Sequence, residues 1–246
     1  MEEIIKRVSN AISLILLFAI SAVFYFSAKG FVVENGKIVL RTQLAHADEI
    51  KNGIATVLPS NIHINASTKF AYGSQNAPLT LYEYSSFGCP HCADFHLNVL
   101  PRLEKDYVEQ GLMKIVFVSF PLDKKSMKAA MLARCITYDN YNNFIADLFD
   151  HQRSWFLAND DTPLFKYAAE YGLSYDEALE CVKDDAVASE IIADRQQGIN
   201  QLKMDGTPAF LISGSDGNEI LYGRPRYSDL QKYLDTRLSS MQYSRQ

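Results

Sequence analysis

The sequence predicts an α/β protein with an inserted all-helical region, preceded by one N-terminal hydrophobic helix. Three observations carry this. Two apolar, strand-like runs, Leu79–Ser85 and Lys114–Phe120, flank a segment of helical periodicity, which makes a βαβ unit with a parallel pair and a right-handed crossover. Residues 124–203 then carry helical patterns and no convincing strand, and a strand–turn–strand followed by a last helix closes the chain. The chain has 246 residues, of which 48% are hydrophobic and 22% charged. That is enough to bury a core and excludes wholesale disorder. A net charge of −5 gives no electrostatic reason to expect nucleic acid as a partner. A mean hydropathy of −0.11 excludes a multi-spanning membrane protein.

Taken in order, the first element is a targeting segment. Between Arg7 and Lys29 lie 21 uncharged residues, which as a helix span about 30 Å, the thickness of a bilayer core. Lys6 and Arg7 precede them, as expected where the N-terminus stays in the cytoplasm. A core helix should show a polar face, and this one does not. Residues 1–28 are therefore either a cleaved signal peptide or an uncleaved membrane anchor. Cleavage wants small residues at −1 and −3. Ala28 with Phe26, and Ala22 with Ile20, fit poorly, and Ala45-His46-Ala47 lies too far on, which favours the anchor. Both readings place the rest of the chain outside the cytoplasm, in a bacterial periplasm or on the extracytoplasmic face. Residues 29–68 form an N-terminal arm that is more than the fold needs and could oligomerise. Ile38–Leu40 is a short apolar patch there, Glu49–Val57 reads as one short helix, and Asn65-Ala66-Ser67 fits a sequon that arises often by chance.

From Gly73 the signals sharpen. Leu79–Ser85 reads as a strand. Cys89–Gln110 reads as a helix with a stripe at Cys92, Phe95, Val99, Leu103 and Tyr107, kinked at Pro101, and Lys114–Phe120 reads as a second buried strand. Helical patterns follow at about 125–138, 141–150, 163–171, 175–183 and 186–202. Gly206-Thr207-Pro208 leads into a strand Ala209–Ile212, a Gly- and Ser-rich turn, a strand Glu219–Tyr222 and a final helix Tyr227–Leu238. Residues 69–123 and 204–246 then make one domain, with 124–203 inserted. Phe144, Phe149 and Trp155 read as core of the insertion, and His63 and His151 as surface residues.

The chemistry sits in four cysteines, Cys89, Cys92, Cys135 and Cys181. Cys89-Pro90-His91-Cys92 is a C-x-x-C at a strand–helix junction. There the unpaired N–H groups and dipole of a helix start stabilise a Cys89 thiolate. Pro90 suits a first helical turn, where its missing N–H costs nothing, and His91 adds positive charge or a hydrogen bond. A stabilised thiolate leaves more readily and makes the disulfide more oxidising. Cys92 falls on the buried stripe and acts as the resolving thiol. A C-x-x-C is also half a zinc site, with His96 as a third ligand, or a plain structural bridge. No second C-x-x-C supports the metal, and so short a loop gains little from closure.

These residues resemble the DsbA-like, thioredoxin-fold thiol–disulfide oxidoreductases of bacterial envelopes. The resemblance covers about Gly73–Leu238. It rests on Leu81-Tyr82-Glu83-Tyr84-Ser85-Ser86-Phe87-Gly88 running into Cys-Pro-His-Cys, and on Gly206-Thr207-Pro208-Ala209-Phe210. It implies a thioredoxin-like fold with a helical insertion. It also implies that Pro208 is cis beside the sulfurs, and that Thr207 pairs its main chain with an extended substrate peptide. Strong oxidants are known in this family, so the resemblance and the thiolate argument are not independent. Glu83, six residues before Cys89, matches an acidic position thought to relay the proton of the buried cysteine; the alternative is an exposed Glu on an edge strand. Cys135 and Cys181 look inward, and in an exported protein two such residues usually pair. A structural Cys135–Cys181 disulfide is expected, the alternative being two inert thiols.

The function expected is donation of the Cys89–Cys92 disulfide to reduced, unfolded exported polypeptides. The resemblance implies reoxidation by a membrane quinone-linked protein. No flavin, nicotinamide or metal motif appears. An isomerase or reductase kept reduced by a partner shares the chemistry. Thr207 before the proline occurs in isomerase-type relatives, and an oligomerising arm would suit one. A chaperone or binding module on the same fold, indifferent to loss of Cys89, is the third alternative.

Overall fold

The computed structural model describes residues 31–34, 37–40, 55–59, 62 and 71–243. The targeting segment 1–28, His63, the sequon and most of the arm lie outside them. Among the described residues no helix is long and apolar enough to cross a membrane. The chain divides into two units, 1–53 and 54–246. In the first, β1 (Phe31–Glu34) pairs antiparallel with β2 (Lys37–Leu40), Phe31 opposite Leu40. The apolar patch read at Ile38–Leu40 is thus one strand of a pair.

The second unit is built on a five-stranded sheet in the order β3-β7-β6-β4-β5. The edge strand β3 (Thr56–Val57) corrects the helix read over Glu49–Val57, of which residues 49–54 lie outside the described residues. It runs antiparallel to β7, and Leu58 N–H extends the pairing to Asn218 O at 2.8 Å. It covers backbone groups of β7 that an uncovered edge would leave unpaired, and β-branched Thr56 and Val57 suit a strand better than a helix.

Strand β4 (Leu79–Ser85) lies inside the sheet, parallel to β5 (Met113–Ser119) and antiparallel to β6 (Ala209–Gly214). Between the two parallel strands run α1 (Pro90–Asn98), α2 (Leu100–Leu103) and a π-helical turn, Glu104–Val108. The single helix read over Cys89–Gln110 is thus broken, and the break falls at Val99 (φ −111°, ψ −49°), ahead of Pro101. Proline supplies no N–H to the carbonyl of Leu97 and its ring crowds that oxygen, so the turn before it opens.

The insertion holds α3 (Lys124–Cys135), α4 (Tyr138–Asp150), α5 (Gln152–Phe156), α6 (Thr162–Glu170), α7 (Tyr175–Cys181) and α8 (Asp185–Asn200). Three of these starts, those of α3, α7 and α8, are capped by side chains. Asp123 accepts Ser126 N–H at 2.9 Å, Ser174 and Glu177 form a capping box, and Asp184 accepts two N–H groups. A disulfide joins Cys135 and Cys181, the last residues of α3 and α7; Cys181 is buried and Cys135 half-buried. Phe144, Phe149 and Trp155 are buried, and Trp155 Nε1 donates to Leu148 O at 2.8 Å. The chain closes with β6, β7 (Gly217–Tyr222) and α9 (Tyr227–Tyr243).

Alternation along the strands sorts the core. Leu79 and Leu81 face α1, α2 and α9 with Ile115, Phe210 and Leu234. Tyr84, Val116 and Leu211 face the other way, under Leu202 and Met204 from beyond α8. A third cluster fills the insertion and continues into Phe87, Cys89, Cys92 and Phe117. The inserted helices and the sheet therefore share a core at the two cysteines.

Candidate active site

Cys89 is the N-cap of α1, in extended conformation (φ −82°, ψ 119°), and Pro90 opens the helix. Its carbonyl accepts the N–H groups of Cys92 and Ala93, each at 3.1 Å. No side chain caps the helix, so the first-turn N–H groups turn to the Cys89 sulfur. Both cysteines are free thiols, Cys89 8% exposed and Cys92 fully buried. The Cys89 thiol is lowered to about 5, chiefly by a hydrogen bond from the Cys92 thiol. The Thr207 side chain and the backbone N–H groups of Cys92 and His91 add to this, against the cost of burial. Burial pushes Cys92 far above an ordinary thiol, and the neighbouring Cys89 adds to it. The two sulfurs thus form a pair with one ionisable member.

The Thr207–Pro208 peptide is cis and sits against the pair. As a thiol, Cys89 Sγ donates to the Thr207 carbonyl at 3.3 Å, which favours the protonated form. The buried Thr207 hydroxyl has no closer partner and acts on both sulfurs in the opposite sense, with the helix N–H groups, and together these prevail. Pro208 O accepts Gly223 N–H at 2.9 Å, which ties the loop to the end of β7.

The loop before the helix is held from the insertion. Gly88 N–H donates to Ser126 Oγ at 3.0 Å, and Ser126 Oγ donates to Asp123 Oδ2 at 2.6 Å. Gln152 Nε2 donates to Phe87 O at 2.6 Å and to Cys89 O at 3.0 Å. A Cβ on Gly88 would stand 2.5 Å from Phe156 and 2.6 Å from Ser126 Oγ.

A scan of family models matches a thioredoxin family over residues 65–236. The chain belongs to the thioredoxin family. A Rickettsia typhi relative named as a protein-disulfide oxidoreductase is 29% identical over 177 residues, covering 70% of this chain and 63% of that protein. The chain spans between about half and two-thirds of the length of the curated Rickettsia relatives it matches. Disulfide bond formation protein D of Bacillus anthracis is 26% identical, over 70% of this chain and 79% of that one. Among solved structures, α-DsbA1 of Wolbachia pipientis superimposes with a TM-score of 0.65 at 28% identity, covering 77% of this chain and 97% of that one. The likeness within the thioredoxin family is to its DsbA-type members.

Cys89, Pro90, Cys92, Thr207 and Pro208 converge. His91 is exposed, and its backbone N–H rather than its imidazole reaches the Cys89 sulfur. Glu83 is 1% exposed and lies between Phe117 and Phe210 on the flanking strands, not on an edge. It is not bonded to Cys92: among the described residues its carboxylate meets His96, whose Nε2 lies 3.0 Å from Oε1 and 2.9 Å from Oε2. His96 is thereby held by Glu83, and its ring stacks on Phe149 with centroids 4.2 Å apart. The side chain that acts on the Cys92 sulfur from β4 is Ser85, buried and two residues further along the same face. Period-two alternation through Leu79, Leu81 and Glu83 puts Ser85 on this face. No sequence signal singles out Ser126 or Gln152.

Proposed function

We propose that this protein is an extracytoplasmic dithiol oxidase that donates the Cys89–Cys92 disulfide to folding exported polypeptides. The observation that carries the reading is the pair itself, a Cys89 thiolate favoured down to about 5 above a buried Cys92 that stays protonated. A thiolate so stabilised favours the reduced form, and its disulfide is correspondingly a strong oxidant.

In the oxidised protein a substrate thiolate attacks Cys89 Sγ. The Cys89–Cys92 bond breaks, its electron pair stays on Cys92, and Cys92 takes a proton. A second substrate thiolate then attacks the substrate sulfur of the mixed disulfide. The substrate disulfide forms and Cys89 leaves as the thiolate that the helix start accommodates. Two substrate thiols are oxidised and one protein disulfide is reduced. Pro90 and the His91 N–H fix the first turn. Thr207 and Pro208 offer the backbone on which an extended substrate peptide lies. Glu83 and His96, with Tyr72 and Glu104, line a cavity of about 110 Å³, room for a few waters. The cavity opens on Glu83 and not on Cys92, so it would serve the solvent side of a relay through Glu83. Return to the disulfide falls to a membrane quinone-linked partner, and residues 1–28 deliver or tether the chain outside the cytoplasm.

The isomerase or reductase reading keeps one observation, a threonine before the cis-proline with its carbonyl against the Cys89 sulfur. Acid-trapping of thiols in cells making the protein, followed by alkylation and mass spectrometry, separates the two. A trapped Cys89–Cys92 disulfide supports the oxidase. Free Cys89 and Cys92 beside a bridged Cys135–Cys181 would replace it with the isomerase or reductase. Gel filtration with and without residues 29–68 tests the oligomerising arm.

A further inference from the structure

The inserted helices touch more than the sulfurs. In the loop Ser86–Cys89, the N–H of Gly88 and the carbonyls of Phe87 and Cys89 are all taken by side chains of the insertion, Ser126 for the first and Gln152 for the other two. A buried amide is costly unless its polar atoms are paired, and Gln152 is 8% exposed. Its orientation is fixed by chemistry, because two carbonyl oxygens can face only the NH₂ end of an amide. Gln152 opens α5, and the other end of that short helix is also pinned. Lys125 Nζ donates to the carbonyls of Trp155 at 3.4 Å, Phe156 at 3.1 Å and Ala158.

The Cys89 carbonyl is the acceptor on which α1 begins, since it takes the N–H groups of Cys92 and Ala93 as well as that of Gln152. Rotating that carbonyl turns the Cys89–Pro90 peptide, and with it the first-turn N–H groups. We propose that Gln152 is a positioning residue for thiol–disulfide exchange, which clamps the Phe87 and Cys89 carbonyls and so keeps the first turn of α1 aimed at the Cys89 sulfur. The insertion then acts on the chemistry through this amide. Each N–H it gives also draws negative charge from an oxygen beside the sulfur, which favours the thiolate.

The inference rests on the reading of Cys89 as the exchanging sulfur, and its test is independent of substrate. The full-length dithiol protein is titrated by its thiolate absorbance, in which Cys89 is the low-pH transition. Gln152→Met keeps the length and packing and removes both donors. Its Cys89 midpoint is expected to rise so that the thiolate fraction at a given acidic pH falls roughly threefold to tenfold. The exchange equilibrium with glutathione should move by a like factor toward the disulfide. Phe165→Leu, which loosens the insertion at a buried ring packed on Tyr175 away from the loop, should leave the midpoint in place. If Gln152→Met does not fold, Gln152→Leu, which has no donor at any pH, is expected to raise the midpoint by a similar factor. An unchanged midpoint in the folded variant, or an equal rise in Phe165→Leu, overturns the inference. A wild-type dithiol that does not exchange with glutathione at all would instead sink the functional reading, while the titration would still report on Gln152.

Discussion

Cys89 and Cys92 stand three positions apart and are shifted in opposite directions, and each contributes to the other's shift. Cys89 takes a hydrogen bond from the Cys92 thiol and N–H groups from the helix start, whereas Cys92, one turn in, faces apolar core and a neighbouring sulfur that ionises first. Glu83 shows the same logic from the carboxylate side. A carboxylate in the middle of a buried strand persists only with a partner, and its partner is His96. Replacing His96 by Leu leaves that carboxylate unpaired at the junction of sheet and insertion. Removing one member of a buried pair costs about 3–5 kcal/mol, so His96→Leu should lower the unfolding free energy by about that much in urea. The double variant with Glu83→Leu should regain much of the loss. A double variant no more stable than the single would mean that the pair does not matter to folding. The reading of Glu83 as buried followed from its place in an apolar strand. Its partner was not legible, because His96 also sits at a spacing that suits a ligand of the C-x-x-C, and only the packing against Phe149 decides which way the ring turns.

At the scale of elements, the insertion is held by a bridge that closes a long loop. Cys135 and Cys181 are 46 residues apart, and opening such a loop costs about 4 kcal/mol in the chain-entropy model. Cys135→Ala with Cys181→Ala should therefore lower the unfolding free energy measured in urea by up to that amount while leaving the Cys89 titration in place. A matching shift in Cys89 would show that the bridge also sets the site. Gly88 tests the opposite side of the same packing. Its substitution by Ala drives a methyl into Phe156 and Ser126, and overpacking of this kind costs about 1–3 kcal/mol. Thermal unfolding of Gly88→Ala should show it, and wild-type stability would mean that the loop gives way. Elements with long periodic or continuous apolar patterns were legible: β4, β5, the β6–β7 hairpin and the longer inserted helices lie within a few residues of where the sequence puts them. Helix α5 was not, because five residues hold little more than one turn and show no period, yet it carries Gln152. The pairing of β1 with β2 was also missed, although Asn35-Gly36 stands between them in the sequence, a strong hairpin signal that the apolar patch alone does not convey.

At the scale of the molecule, the site's chemistry and the fold's stability are one equilibrium read two ways. The thiolate of Cys89 is favoured only in the folded dithiol form, where its value is about 5, against about 8.5 for a free cysteine. A lowered acid contributes stability that is fully present above the unfolded value and lost as pH falls through the folded one. The disulfide form has no titrating thiol at this site, and the short C-x-x-C loop offsets its stability by a constant. The dithiol form should therefore gain on the disulfide form as pH rises from about 5 to about 8.5, by up to about 1.4 kcal/mol per pH unit. Cys92 sets the upper limit. Its value is raised in the folded state, so its contribution has the opposite sign, present below about 8.5 and lost above it as the unfolded chain ionises. The gap between the two forms should then peak near that pH and decline beyond it. Urea unfolding of both forms at a series of pH values measures this gap directly. A gap that stays flat between pH 5 and 8 would mean that Cys89 titrates alike in folded and unfolded chains, and the thiolate argument for an oxidase would go with it.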